Sequence, residues 1–264
     1  GQLKPASQRH ALAVVQALFK HLQGAGESTN QPVSRGTVAA IGATDLTPVL
    51  RVLSDGDRAL LLAHIDRAER TALGRQQTTT ALPAGAAQRR LRLVLSLLCA
   101  TGLRLSELVN ASTSDIVHTT PPKSGRVAWL TVVGPGQRVR QVPLTPALLE
   151  LMAAHHADAA SVGALPCPAP IVCTLRATSG SEPSQRRLGA NGLYRLLKRF
   201  FLQVSAPAQA AAAPMQKRTV VANVDRHAAH LGAASTHWLR HTFGQQVLAA
   251  GQSLPVLQQA LGHS

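Results

Sequence analysis

The chain has 264 residues, with 27 Lys+Arg against 12 Asp+Glu, a formal net charge of +15. That length buries a core without staples, the 45% hydrophobic content excludes a wholly disordered chain, and three cysteines, an odd number, exclude a disulfide framework. The sequence pI of about 11.5 comes from positive charge spread along the chain, which implies a folded basic surface and a polyanionic partner, nucleic acid first. Aromatics are only 3%, which argues against a base-stacking platform for single strands and favours duplex backbone binding. No apolar run approaches the ~18–20 residues that cross a bilayer. Gly1 is not a natural start, so the chain is expected to be processed or cut from something longer.

Residues 8–23 carry Leu12, Val15, Leu18, Phe19 and Leu22 at helical spacing, and Gly24 and Gly26 end that helix. Residues 27–45 are rich in Gly, Ser, Thr and Pro and read as a linker. A helix is expected over 55–71, capped by Ser54 or Asp55, with Leu60, Leu61, Leu62 and Ile65 as its apolar side. A loop over 74–86 precedes a helix from Arg89 to Ala100, apolar almost all round and hence buried. Gly102 stops it, and another helix starts near Ser106. Residues 126–133 and 138–142 form a hairpin around Gly134-Pro135-Gly136-Gln137. Pro146 opens a helix to about His155. An irregular stretch over 160–190 holds a short strand at Ile171–Thr174. A basic helix over 190–204 turns Leu193, Leu196, Leu197 and Phe200 inward, with Tyr194 structural beside them, and 205–216 is a loose Ala/Pro-rich loop. Helices over 236–250 and 254–261, the second capped by Ser253 and stopped by Gly262, close the chain. The fold class is therefore mostly α with a small antiparallel β-sheet, an α+β chain.

Three segments carry chemistry. His237 and Arg240 stand three apart in Thr236-His237-Trp238-Leu239-Arg240-His241, so they share one side of a helix. A guanidinium forks onto phosphate oxygens and an imidazole beside it moves a proton; by spacing alone the pair reads first as a solvated face. Arg104 sits between two helices, near backbone N–H groups that suit an anion, with Glu107 three residues on to orient it or simply to favour the helix N-terminus. His263 follows the helix stop at Gly262 and says nothing alone. The basic run Arg186-Arg187, Arg195 and Lys198-Arg199 is either a DNA-backbone face or a solvated one. His227, His230, His237 and His241 match no zinc spacing, so no metal is expected. Cys167 and Cys173 read as ordinary thiols.

Taken in series, Ala100-Thr101-Gly102-Leu103-Arg104-Leu105-Ser106-Glu107-Leu108, His237-Trp238-Leu239-Arg240-His241-Thr242-Phe243 and Leu261-Gly262-His263-Ser264 resemble the boxes of the tyrosine recombinase, or phage integrase, family. The resemblance covers about residues 46–264 and implies that family's catalytic-domain fold. It makes residues 1–26 a remnant of the smaller core-binding helical domain, 27–45 a linker, and 46–264 the catalytic domain without its C-terminal nucleophile segment. It implies a site-specific recombinase that cleaves and rejoins duplex DNA through a 3′-phosphotyrosine, with no cofactor, as a homotetramer on DNA at the bacterial nucleoid, away from any membrane. Catalytic residues would be Arg104, His237, Arg240 and His263, supported by Glu107, with Arg138, Arg140, Arg195, Lys198 and Arg199 on the DNA backbone.

Two departures stand out. The family's nucleophilic tyrosine follows Leu-Gly-His by a short segment, whereas Tyr194 is the single tyrosine here, so these 264 residues are expected to be inactive by themselves. The family hairpin reads roughly Gly-Lys-Gly-x-Lys-x-Arg-x-Val-Pro-Leu, and its first lysine, the usual general acid, is Pro135 in this chain. Arg138 holds its proton too firmly to replace it. The alternative reading is a non-catalytic DNA-binding protein on the same fold. A basic RNA-binding protein is the weaker third.

Overall fold

The computed structural model describes residues 51–74, 82–120, 127–176, 186–210 and 230–262, all within the unit that begins at Arg51. The expected helix over 8–23 and linker over 27–45 lie outside the described residues. Helix α1 spans Asp55–Gly74. Ser54 caps it reciprocally: its hydroxyl accepts from the Asp57 N–H at 3.0 Å while Asp57 Oδ2 accepts from the Ser54 N–H at 2.8 Å. Leu61 and Ile65 are buried, but Leu60 is 43% exposed. Four-residue spacing, rather than the run of leucines, sets the inward stripe.

Helix α2, Ala86–Thr101, is the central rod. Leu93, Val94, Leu97 and Leu98 are fully or almost fully buried, because α1 and the later helices α4 (Pro146–Ala160) and α6 (Thr236–Ala249) pack around it. Gly102 ends α2 in the left-handed region, φ 60°, with its N–H on Leu98 O at 3.1 Å. A Cβ at Gly102 would lie 2.4 Å from Phe243 Cδ1 and 3.0 Å from Leu261 Cδ2. Conformation and space both demand glycine. Helix α3, Leu105–Asn110, follows after three residues.

The sheet has three antiparallel strands in sequence order: β1 Ile116–Thr119, β2 Val127–Val133 and β3 Val139–Leu144. Ala128, Leu130 and Val132 alternate onto the buried face, and register sets Leu130 opposite Val142 and Ala128 opposite Leu144. Thr145 caps α4, its hydroxyl accepting from the Leu148 N–H at 3.3 Å, with Pro146 at the first helical position. Helix α5, Ala190–Ala210, buries Leu193, Leu197, Phe200 and Phe201. Helix α7, Leu254–Leu261, ends at Gly262 in the left-handed region, φ 65°.

Several expectations need correction. β1 adds a strand to the expected hairpin, formed where Ile116 to Thr119 pairs with Leu130 to Val127. Ile171–Thr174 is not a strand; only isolated bridges form nearby, Ser112 to Pro170 and Cys173 to Arg187. Helix α5 does not stop at 204 but continues through Pro207 to Ala210. Tyr194 is not buried with Leu193 and Leu197 but is 44% exposed, being one residue, about 100°, round the helix from Leu193. Arg186 and Arg187 do not face solvent as a backbone-binding pair. Arg186 is buried and donates to Ala159 O and Arg176 O, and Arg187 donates to Val109 O and Ala111 O. They staple the irregular segment by supplying donors to carbonyls that lack strand partners.

Two predictions come from this packing. Gly102→Ala should cost about 2 kcal/mol or more, through a left-handed alanine and an overfilled contact with Phe243. Urea denaturation reads it, and an unchanged midpoint contradicts the close approach. His155 in α4 is fully buried, and its Nε2 accepts from the Cys173 N–H at 2.9 Å. Burial, then the neighbouring His156 and Arg90, lower its pKa from 6.5 to about 4. The unfolded chain therefore takes up this proton first. Stability is full above about pH 6.5 and falls as pH drops toward about 4, by at most about 1.4 kcal/mol per pH unit. His155→Gln keeps an acceptor for Cys173 and should flatten that slope in urea titrations at graded pH. An unchanged slope assigns it elsewhere.

Candidate active site

The three boxes meet at one place because α2, α6 and α7 converge at the Gly102 turn. Arg240, in the second turn of α6, is 8% exposed. Its Nη1 donates to Gly102 O at 2.7 Å and its Nη2 to Leu261 O. One guanidinium thus closes the C-terminal ends of both α2 and α7. Burial, then repulsion from Arg104, lower its pKa from 12.5 to about 10, so it stays cationic at neutral pH. His237 is on the first turn of α6 and exposed, three residues from Arg240.

Arg104 is the residue before α3. Its backbone N–H donates to Glu107 Oε2 at 2.7 Å and its Nη1 to Glu107 Oε1 at 2.9 Å. The Glu107 side chain is 1% exposed. Burial alone would raise its carboxyl, but hydrogen bonds from Arg140 and then Arg104 hold it below its ordinary value. Arg140 forks onto Glu107, Nη1 to Oε1 at 2.6 Å and Nη2 to Oε2 at 2.8 Å. The hairpin turn bearing Pro135 closes over this group, and Gly134 lets it approach: a Cβ there would lie 3.2 Å from Glu107 Oε1. Arg104, Arg138, Arg140, Pro135 and Trp129 line a cavity of about 1040 Å³ bounded on its far side by α7.

Of the expected site residues, Arg104, Glu107 and Arg240 come together, Arg140 joins them, and His263 lies outside the described residues. Arg138, Arg195 and Arg199 are exposed. Lys198 spends its ammonium on Gly232 O at 2.6 Å, closing the helical stretch 230–233. Alternation along β3 was the available signal for Arg140: it shares the face of Val142 and Leu144, so it points inward. Among the described residues no three His, Cys, Asp or Glu side chains group as metal ligands. Nor is any described helix long and apolar enough to cross a membrane.

Helices around a three-stranded antiparallel sheet, with the arginine boxes gathered where helices and hairpin meet, define the catalytic-domain class of tyrosine recombinases. The chain belongs to the phage integrase family, whose model matches residues 75–264. It is 27% identical to the tyrosine recombinase XerD of Rhizobium meliloti (strain 1021) over 261 residues, covering 99% of this chain and 67% of the relative. It is 28% identical to the tyrosine recombinase XerC of Nitrobacter winogradskyi over 174 residues, covering 65% of this chain and 41% of that one. The fold matches the XerH site-specific recombinase bound to its palindromic difH substrate, TM-score 0.56 at 17% identity, covering all of this chain and 60% of that one. It also matches the Tn1549 transposon integrase in complex with circular intermediate DNA, TM-score 0.52 at 14% identity, covering 99% of this chain and 72% of that one. The chain spans only part of these relatives, from 41% of the XerC sequence to 67% of the XerD sequence.

Replacing Glu107 by Ala leaves Arg140 and Arg104 without their shared carboxylate. The expected loss is about 3 kcal/mol at neutral pH, read by thermal or urea unfolding. Because the folded carboxyl ionises below its ordinary value of 4.5, the stabilisation is present above that pH and is lost as pH falls below it. A wild-type midpoint in Glu107→Ala contradicts the ion-pair geometry.

Proposed function

We propose that this chain is the catalytic part of a site-specific recombinase that breaks and rejoins duplex DNA. Membership in a family of DNA recombinases supports the broad class. The observation that carries the finer reading is the convergence of Arg104 and Arg240 from separate boxes at one turn, where Arg240 bonds Gly102 O two residues before Arg104. Like charges do not gather unless something holds them or something anionic uses them. Glu107 and the Gly102 and Leu261 carbonyls hold these cations in place, and a phosphodiester is the ligand their shared charge suits.

In this reading Arg104 and Arg240 stabilise the charge that builds on the non-bridging oxygens. His237 and His263 donate hydrogen bonds or move a proton at the same phosphate. A tyrosyl oxygen attacks phosphorus, the 5′ oxygen leaves with a proton, and the phosphodiester energy is kept in a 3′-phosphotyrosine. Reversal on a new 5′ hydroxyl rejoins the strand, so no cofactor enters. Tyr194, exposed on α5, is not assigned as the attacker. The 264 residues as they stand bind DNA without cutting it, and the active form is a homotetramer on DNA at the nucleoid. Arg138, Arg195 and Arg199 contact the backbone.

Two measurements test this. Duplex affinity of the chain should fall roughly 10³-fold between about 50 and 200 mM salt, if some six phosphates are neutralised; a flat dependence removes the basic-surface reading. In the protein expressed from its whole reading frame, Arg104→Ala and Arg240→Ala should each cut cleavage of a nicked substrate by about 10²-fold or more. A wild-type protein that binds duplex DNA but never cleaves, with both arginine variants binding alike, favours the non-catalytic DNA-binding alternative.

A further inference from the structure

Arg140 lies deeper than a hairpin arginine on a DNA-facing surface needs to. Its side chain is 9% exposed, against 25% for Arg104. Its donors go to protein in two directions. Nη1 and Nη2 take both oxygens of Glu107, and Nε donates to Ala260 O at 3.0 Å in the last turn of α7. Gly262 permits this contact: a Cβ there would lie 3.2 Å from Arg140 Cδ. One side chain therefore joins β3, the N-terminus of α3 and the end of α7.

Two cations share one buried carboxylate, and they share it unequally. Arg140 has the bidentate fork, the stronger geometry, whereas Arg104 has one side-chain contact and its backbone N–H. Without Arg140, Glu107 turns to Arg104 alone. That pair is internally neutral and poorly disposed to attract a phosphate. We propose that Arg140 is a positioning residue: by taking both Glu107 oxygens it leaves Arg104 a single side-chain contact there and keeps it aimed at the scissile phosphate, and by holding Ala260 O it fixes the end of α7 beside the hairpin. The proposal rests on the recombinase reading of the site. It replaces direct DNA contact as the role of Arg140. Lysine cannot substitute, because one ammonium does not span both carboxylate oxygens and the Ala260 carbonyl.

The test compares Arg140→Lys and Arg140→Gln with wild type in the protein from its whole reading frame. Single-turnover cleavage of a nicked duplex is measured at saturating DNA, with duplex affinity against salt measured alongside. Both variants should cleave roughly 10²-fold more slowly, with the salt slope of Arg140→Lys unchanged. Adding Glu107→Gln to Arg140→Gln should cost little more, since the two act as a unit. Cleavage by Arg140→Lys at the wild-type rate overturns the proposal. So does a salt slope that falls by about one in Arg140→Gln with an unchanged saturating rate, the signature of a direct phosphate contact. A wild-type protein that does not cleave defeats the recombinase reading instead. Amide exchange then tests the pairing by itself: Arg140→Gln should lose protection over 254–261, and wild-type protection there overturns the tie to α7.

Discussion

The Arg240 guanidinium bonds Gly102 O and Leu261 O, and so joins residues 138 and 21 positions away from it in sequence. A buried cation is expensive to desolvate, and carbonyl oxygens at two helix ends are the right recipients because they are orphan acceptors carrying partial negative charge. The same turn is closed sterically. Phe243, one helical turn beyond Arg240, and Leu261 both press against the bare Cα of Gly102. Polar and apolar contacts thus fix the ends of α2 and α7 against α6, and Arg104, two residues past Gly102, inherits its place from that junction.

Charge is the second constraint. Arg104, Arg140 and Arg240 interact around the single carboxylate of Glu107. Its two oxygens accept a bidentate fork and a second arginine, which explains why a side chain 1% exposed stays ionised despite burial. The gathering of three arginines at this place is the physical basis for reading the site as a phosphate-binding one. The packed core beneath, Leu93, Leu97, Leu98 and Leu108 from α2 and α3, keeps the arginines from relaxing apart.

Helices were legible wherever one residue type forces one outcome. Pro146 after Thr145, Gly102 after Thr101 and Gly262 after Leu261 mark ends that appear where expected. The Trp129 strand and its return were legible from alternation. Less legible were features that depend on a distant partner. β1 is short and largely exposed, and forms because Trp129 and its neighbours pair with it, the indole N–H reaching Thr119 Oγ1 at 3.1 Å. Arg186, Arg187 and Lys198 look like surface cations in sequence, yet each is consumed by backbone carbonyls. Tyr194 and Leu60 sit among inward residues in sequence but face outward by helical phase.

Sequence by itself determined the class of fold, the helix boundaries set by Gly102, Pro146 and Gly262, the hairpin, and the choice of Arg104, Glu107, His237 and Arg240 as the residues to watch. Those rest on local rules: dihedral limits, capping chemistry, periodicity and a series of boxes in fixed order. Tertiary structure decided which arginines are buried among protein acceptors and which stay exposed. Arg138 and Arg140 are two residues apart with the same charge, but Arg138 lies in the turn before β3 and is exposed, whereas Arg140 lies in β3 and is set between Glu107 and α7. That choice depends on where a carboxylate 33 positions away comes to lie, and only packing brings it there.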